Sequence, residues 1–525
     1  MNKRHFSKPK SKPKSGIEKY ILTDEYRRKI LENAYIGHQG FTMLKTHLDP
    51  ADLSELKSVL TVETLPSFGG PKTEAVSFPV FRENEKKIYI PRFYGESRYG
   101  GIPAKMELSL GDSISVPFVK PIRDYQEKII QVYLDHIGGK TGSGGGILEV
   151  PCGRGKTVLS LKIISILERK TLILVHKEFL MNQWIERIGE FIPTARVGKI
   201  QGPVFDIEEK DIVIGMIQSL YDRAFPLNAF ASFGLTIIDE VHRIASEEFS
   251  KTLFKTITNC MLGISATVDR KDGLTNVLHM FIGPKIYTEE RKDEDIIEVR
   301  ALEYVNTDPE YNEVAYDYMG NVAHTTMISK ISNFPPRCHF MVKVLRDLIA
   351  ENPDKQIMVL SQIRGLLTSI HEQLIGSGFD DVGFYVGGMK QKDLQATEEK
   401  QIVLATYAMA AEALDIKTLN TLVMVSPKTD IIQSVGRILR TRGLGKLIVD
   451  VIDTHDVFQN QWKKRRAYYK KCGYGISYVK STEYVNMEIK DAWKRVSNAT
   501  KIEEEEEKPK CMIDVSEIDF ERKMG

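Results

Sequence analysis

The chain has 525 residues, 42% of them hydrophobic and 27% charged, and its 73 Lys and Arg nearly balance 71 Asp and Glu to a formal net charge of +2. This length exceeds one ordinary hydrophobic core, so we expect two to four domains, and the near-neutral total neither requires nor excludes a polyanionic partner. Five scattered cysteines without a CxxC pair argue against a zinc or iron–sulfur site. The sequence also shows no secretory signal and no apolar run long enough to span a bilayer. Together with the unpaired cysteine spacing, this favours a soluble intracellular protein without a membrane partner.

The first 118 residues divide into a tail and a small domain. Residues 1–16 are rich in Lys, Pro and Ser, which predicts a disordered basic tail. Residues 17–118 predict an α+β accessory domain, with helices at 24–34 and 50–59 and strand-like pieces AVSFPVFR, KKIYIPRFYG and MELSLG. Within it, IYIPRFYGESRYGG interleaves Arg92 and Arg98 with four aromatic residues. This arginine–aromatic strip could stack on nucleic-acid bases, or it could be a tyrosine-rich packing surface between domains.

The stretch ILEVPCGRGKTVLSLKIISIL predicts a buried strand, a tight loop and a helix. Gly153 and Gly155 permit the turns, and the first N–H groups and the dipole of the helix attract an anion. The pattern therefore predicts a phosphate-binding loop, although valine stands where the GxxxxGK[ST] motif has its first glycine. Lys156 would reach the outer phosphates of a nucleoside triphosphate, and the Thr157 hydroxyl would hold Mg²⁺.

The following strands, TLILVH, DIVIGMIQSL, FGLTIIDEVHRI and MLGISATVDR, alternate with helices, which predicts a parallel α/β sheet. TIIDEVH runs straight into Asp239 and Glu240, at the edge where ligands bind such sheets. Asp239 would hold Mg²⁺ through water, Glu240 would orient and deprotonate an attacking water, and His242 could sense the γ-phosphate. Upstream, Gln126 in the segment RDYQ could read an adenine edge with its paired donor and acceptor.

A charged and aromatic segment, 291–336, predicts a linker or small insertion before a second α/β unit with strands from KQIMVLSQ to KLIVDVID. That unit lacks GKT, but DIIQSVGRILRTRG contains Gln433, Arg437 and Arg440 at QxxGRxxR spacing. Both arginines lie about one helical turn apart. Reaching across a cleft, they could stabilise transition-state charge as arginine fingers.

Five motifs in this order, PCGRGKT, IDEVHR, GISATVDR, ATYAMAAEALDI and QSVGRILR, resemble those of a superfamily 2 helicase over roughly residues 120–475. The phrases VPCGRGKT, QWIERIGEF, LGISATVDRKD and QSVGRILR are most similar to XPB-type repair and transcription helicases. They also resemble UvsW-like, poxvirus transcript-release and other large-DNA-virus helicases. The resemblance implies two tandem RecA-like lobes, at 119–290 and 337–482, and a C-terminal tail with an acidic run at 483–525.

The resemblance also implies ATP and Mg²⁺ as cofactors and adds residues to the site. The added nucleotide, coupling and nucleic-acid positions are Arg154, Asp415, Ser265, Thr267, Gln218, Ser219, Thr406 and Glu412, besides Gln433. The sequence departs from the family where Ala413 replaces a glycine after Glu412. It departs again where Lys271 reverses the charge of the XPB-type Arg-Glu-Asp element.

The residues together predict an ATP-dependent helicase or translocase that acts on DNA, mainly through backbone phosphates, within transcription or repair machinery. An RNA-directed or transcript-releasing ATPase that does not unwind is one alternative. A non-catalytic ATP-binding assembly subunit is another. The basic, tyrosine-rich strip at 463–471 could track phosphates or form a solvated helix face.

Overall fold

The computed structural model describes residues 21–63, 77–151, 153–226, 228–241, 247–266, 268, 274–289, 297–412, 416, 418–429, 431, 445–488 and 492–499. Its helices, besides a 3₁₀ turn at Lys45–His47, are α1 (Asp24–Asn33), α2 (Pro50–Val59), α3 (Arg92–Tyr99), α4 (Asp124–Ile137), α5 (Lys156–Leu167), α6 (Glu178–Phe191), α7 (Ile217–Asp222), α8 (Glu247–Leu253), α9 (Thr275–Ile282), α10 (Pro309–Asn312), α11 (His324–Ser332), α12 (Pro335–Glu351), α13 (Arg364–Gly376), α14 (Gln391–Glu398), α15 (Tyr407–Glu412) and α16 (Asp456–Lys471). None of these described helices is long and apolar enough to cross a membrane.

The strands form three main sheets and one two-stranded ribbon. They are β1 (Tyr35–Gly37), β2 (Gly40–Leu44), β3 (Thr61–Glu63), β4 (Ser77–Pro79), β5 (Arg82–Glu83), β6 (Lys87–Ile90), β7 (Lys105–Met106), β8 (Gly144–Glu149), β9 (Thr171–Val175), β10 (Val197–Gln201), β11 (Val204–Phe205), β12 (Ile212–Met216), β13 (Leu235–Asp239), β14 (Cys260–Ser265), β15 (Lys285–Thr288), β16 (Ile297–Tyr304), β17 (Ile357–Ser361), β18 (Val382–Tyr385), β19 (Ile402–Thr406), β20 (Thr421–Met424), β21 (Lys446–Asp453), β22 (Gly475–Lys480) and β23 (Lys494–Ser497). The ribbon pairs β3 with β4.

The N-terminal sheet has the order β5-β6-β2-β1-β7. Both helices predicted in this domain are confirmed. Helix α1 begins where the Thr23 hydroxyl accepts a hydrogen bond from the backbone N–H of Tyr26, and α2 begins where the Asp49 carboxylate accepts one from the backbone N–H of Ala51. The strand expected to continue through PRFYG is wrong after Pro91, because α3 begins at Arg92. Proline fixes its own φ and donates no hydrogen bond, so the ladder of β6 ends there.

The arginine–aromatic strip packs between units of the fold and is not open to bases. Arg92 is 1% exposed, and Tyr94 and Tyr99 are also buried. The Arg92 guanidinium donates to the Ser143 hydroxyl and to the backbone carbonyl of Asn259, both at 2.9 Å. The packing alternative is therefore the correct one.

The N-terminal sheet and the first large sheet share one apolar core. Buried side chains of the small sheet, such as Ile36 and Phe41, belong to the same cluster as Ile147, Leu278 and Phe281 of the large unit. The segment after Leu108, expected within the accessory domain, instead runs along the large unit, where the backbone N–H of Ile114 donates to the carbonyl of Glu168. Apolar burial on both sides makes these two parts one packed body.

The first large sheet has the order β11-β10-β12-β9-β13-β14-β8-β15, and every pairing in it except β10–β11 is parallel. Its central strands are buried along their whole length and mostly apolar, as expected for strands covered by helices on both faces. This is the doubly wound α/β arrangement expected of a RecA-like lobe.

The second large sheet has the order β18-β19-β17-β20-β21-β16-β22-β23 and is parallel except at β22–β23. The linker predicted over 291–336 is wrong for 297–304, because β16 pairs with β21 on one side and β22 on the other. The tail predicted over 483–525 is likewise wrong for β23, which pairs with β22. The strand pattern of 297–304 did not reveal its partners, because β21 and β22 lie more than a hundred residues further along the chain.

Two buried ion pairs hold helices to opposite faces of β21. Arg337 of α12 donates to Asp453 at 2.6 and 2.9 Å, and Arg465 of α16 donates to Asp450 at 2.7 and 2.8 Å. The side chain of Tyr469 is also buried and donates to Asp450. Arg465 and Tyr469 therefore serve packing, so the phosphate-tracking strip predicted at 463–471 is reduced to its exposed lysines and Arg466.

We expect Arg92→Met to lower the free energy of unfolding by about 3 kcal/mol, because a buried charge partner of Glu96 is lost together with bonds to the large unit. Arg28→Met, at an exposed site on α1, should change it by less than about 0.5 kcal/mol. Urea unfolding of the full chain measures both. Equal effects of the two substitutions would contradict the structural role of Arg92.

Candidate functional site

Three neighbouring parallel strands end at the same level and bring their polar termini together. Asp239 at the end of β13 pairs with Ile264 of β14, and Ile264 pairs with Leu148 of β8. The chain therefore leaves β13, β14 and β8 side by side, at the carboxyl edge where ligands bind in sheets of this kind. The loop 150–155, the 239–240 carboxylates and Ser265 meet at this edge.

The loop after β8 has the backbone shape of an anion cradle. Gly153 and Gly155 have φ values of +84° and +81°, in the left-handed region that favours glycine. Gly155 is the N-cap of α5, so the first free N–H groups of the helix open into the loop. A Cβ at Gly155 would lie 2.5 Å from the Nε2 atom of Gln126, so a larger residue would both strain the backbone at this φ and displace Gln126. These features fit a bound phosphate.

Lys156 and Glu240 form an ion pair across the site. The Lys156 Nζ atom lies 3.3 Å from Glu240 Oε1, and both side chains are largely shielded from solvent. Glu240 itself has a φ of +52°, which is uncommon for a residue with a Cβ. Such backbone strain costs roughly 1–3 kcal/mol and persists where surrounding structure enforces it. Here the backbone N–H of Glu240 donates to the carbonyl of Ile264 at 3.0 Å, which ties it to β14.

Asp239 is 8% exposed, and its environment disfavours the charged form. Burial raises the pKa of the Asp239 carboxyl above its usual range and the adjacent Glu240 carboxylate adds to this, whereas the Lys156 ammonium and the Trp184 indole oppose it. The Trp184 Nε1–H donates to Asp239 Oδ2 at 3.0 Å. Sequence reasoning missed Trp184, although a buried indole N–H usually finds an acceptor and QW lies on a predicted amphipathic helix.

Gln126 and Arg154 are engaged within the protein. Gln126 lies in the first turn of α4, where its Oε1 accepts from the backbone N–H of Arg123 and its Nε2 donates to the carbonyl of Arg154. Arg154 bonds Glu289 through its guanidinium and stacks 3.9 Å from the centre of the Tyr125 ring. Gln126 thus holds the loop through both ends of its amide, and its side chain is 5% exposed, so the predicted contact with adenine stays a prediction.

Ser265 and Val268 are hydrogen-bonded to the end of the strand that carries the loop. The backbone N–H of Val150 donates to the Ser265 carbonyl at 2.8 Å, and the backbone N–H of Val268 donates to Glu149 Oε1 at 2.9 Å. Glu149 also accepts from Lys285 at 3.0 Å. Sequence reasoning missed Glu149, whose signal was a carboxylate at the end of an apolar strand.

The predicted nucleic-acid positions lie at strand ends of both sheets. In α7, after β12, Gln218 donates to the carbonyl of His176 and the hydroxyl of Ser219 accepts from the backbone N–H of Gly202. Thr406 ends β19 in the second sheet, level with Ser361 of β17. Glu412 ends α15. The predicted residues His242, Thr267, Asp415, Gln433, Arg437 and Arg440, and the departures at Lys271 and Ala413, lie outside the described residues.

Known proteins match the chain in two ways. Residues 120–270 match the family model described as "Type III restriction enzyme, res subunit". A protein of Acanthamoeba polyphaga mimivirus named "Putative ATP-dependent RNA helicase" is 31% identical over 451 residues, which cover 83% of this chain and 85% of that protein.

More distant relatives also span most of the chain. An African swine fever virus protein with the same descriptive name is 27% identical over 81% of this chain and 87% of its own length. A protein of Invertebrate iridescent virus 6 named "Putative helicase" is 24% identical over 81% of this chain and 96% of its own length. The similarity therefore extends beyond the loop-bearing sheet into the second one.

We expect Gly155→Ala to lower the free energy of unfolding by about 1–2 kcal/mol, because alanine is strained at a φ of +81° and its Cβ meets Gln126. Gly189→Ala, in α6 with nothing near its Cβ, should raise stability by up to about 1 kcal/mol. Thermal and urea unfolding of both variants measure the difference. A neutral Gly155→Ala would show that the loop does not require a left-handed residue.

Proposed function

Since this chain belongs to the superfamily 2 helicases, which hydrolyse ATP, we propose that it binds Mg·ATP at the loop 150–157. We propose further that it couples hydrolysis to movement along a nucleic-acid strand. The observation that supports this best is the ion pair between Lys156 and Glu240, 3.3 Å long, at the carboxyl edge beside Asp239. One cation and two carboxylates beside an anion cradle are the groups that phosphoryl transfer to water requires.

In this proposal nucleotide binding changes what Lys156 contacts. The Lys156 ammonium lies 3.3 Å from Glu240 Oε1. When the outer phosphates enter the cradle, Lys156 binds them, and the Glu240 carboxylate becomes able to orient a water and accept its proton. Thr157 and Asp239 would hold Mg²⁺, which would supply positive charge against the developing negative charge of the phosphates. Substrate binding thus unmasks the general base.

The second lobe completes the site in this proposal. Arg437 and Arg440 reach the γ-phosphate across the cleft, and Asp415 lies near the ribose. The coupling residues are Gln433, Glu412, His242, Ser265 and Thr267. The link from Glu149 to Val268 supports such coupling, because it attaches the segment after Ser265 to the strand that carries the loop. The same proposal divides the chain into an N-terminal accessory domain and two RecA-like lobes.

In this proposal the nucleic-acid strand runs over the carboxyl edges of both sheets, past Gln218, Ser219 and Thr406. Most of its contacts with the protein are made by its backbone phosphates. Motif similarity to repair and transcription helicases favours DNA and a place in such machinery. The names of the mimivirus and African swine fever virus relatives favour the alternative, an RNA-directed or transcript-releasing ATPase.

We expect Glu240→Gln and Lys156→Ala to reduce nucleic-acid-stimulated ATP hydrolysis by at least about 100-fold, because they remove the general base and the phosphate cation. Both should unfold like the wild type. Glu186→Gln and Lys128→Ala, at exposed positions on α6 and α4, are the matched controls and should retain full activity. Normal hydrolysis by Glu240→Gln would overturn the catalytic assignment.

We expect single-stranded nucleic acid to stimulate the ATPase and to be bound with strong salt dependence. For roughly five phosphate contacts, affinity should fall about 100-fold between 50 and 200 mM salt. ATPase assays with single-stranded DNA, duplex DNA and RNA at matched salt identify the substrate: stronger stimulation by DNA supports the proposal, and stronger stimulation by RNA supports the alternative. No stimulation by any of them would contradict both.

A further inference from the structure

Trp184 links the core of the first lobe to a carboxylate of the site. It lies on the buried face of α6 with Leu180, Met181 and Ile188, and it is 2% exposed. Helix α6 packs over β9, and β9 pairs with β13, so the indole reaches the end of β13 from the neighbouring strand. There its Nε1–H donates to Asp239 Oδ2 at 3.0 Å.

This hydrogen bond restricts Asp239. With Oδ2 held, the carboxyl group cannot rotate freely about its Cβ–Cγ bond, so its other oxygen is presented in one orientation. A fixed carboxylate oxygen is the kind of ligand that a hard cation such as Mg²⁺ prefers.

We propose that Trp184 is a positioning residue for the metal of this site: its indole N–H fixes the Asp239 carboxylate that holds Mg²⁺ in the Mg·nucleotide complex. The proposal rests on the proposed function, because Asp239 has this task only if the loop binds nucleotide with its metal. It gives Trp184 a role that phenylalanine, which is aromatic but smaller and has no N–H donor, cannot fill. Partners of this kind typically change metal affinity by about 10- to 100-fold.

The test compares Trp184→Phe with the wild type in binding of a fluorescent ADP analogue, with Mg²⁺ titrated from zero. We expect half-maximal Mg²⁺-dependent binding to need about tenfold more Mg²⁺ in the variant. Binding in EDTA, which depends on the loop alone, should be unchanged. Hydrolysis should show the same separation, with a raised Mg²⁺ requirement and a near-normal rate at saturating Mg²⁺.

Trp493→Phe is the matched control, since Trp493 is also buried but packs on Tyr484 in the second large sheet's core. It should bind like the wild type. An unchanged Mg²⁺ requirement in Trp184→Phe overturns the proposal, and so does an equal loss with and without Mg²⁺, which indicates a packing role. If the wild type binds no nucleotide under any condition, the proposed function fails instead.

A second measurement needs no folded Trp184 variant. The wild-type chain has three tryptophans, so Trp462→Phe and Trp493→Phe assign the Trp184 indole ¹H–¹⁵N resonance by elimination. We expect this resonance to shift on addition of ADP with Mg²⁺ and to shift less with ADP in EDTA. Equal shifts in both conditions, or none, would contradict contact between the indole and the metal-holding carboxylate.

Discussion

The alignment of three parallel strands is the constraint on which the site depends. Asp239, Ile264 and Leu148 are in register across β13, β14 and β8, so the segments that follow these strands begin side by side. A shift of one residue in either pairing would turn every side chain of a strand to the opposite face. Continuous apolar burial on both faces of the sheet resists such a shift. The packing of the core therefore fixes the relative positions of the site residues at the ends of these strands.

That core also maintains unfavourable local features at the site. Glu240 has a strained backbone, and Asp239 is a carboxyl that burial drives toward its neutral form. The hydrogen bonds that hold them come from rigid neighbours, the carbonyl of Ile264 and the indole of Trp184. Stability elsewhere in the lobe offsets the cost of these features. A cation, a carboxylate pair and the loop after β8 are thereby held close together.

The N-terminal unit contributes to this rigidity. Its sheet shares an apolar core with the first lobe, and buried Arg92 ties α3 to the carbonyl of Asn259, the residue before β14. The aromatic side chains that suggested base stacking instead fill this boundary. In the second lobe, two arginine–aspartate pairs hold α12 and α16 to opposite faces of β21. Side chains that look suited to nucleic acid in the sequence thus prove structural when their charges find buried partners.

The sequence by itself determined the α/β class, the glycine-containing loop and its succeeding helix, the strand that runs into Asp239 and Glu240, and the superfamily, because each depends on short-range pattern and motif order. Tertiary structure alone decided that β16 belongs to the second sheet and that Arg92 and Arg465 are buried. It also revealed the left-handed Glu240 and the contact between Trp184 and Asp239. These features depend on residues distant in the chain, or on a backbone angle that surrounding packing imposes, so no local pattern encodes them.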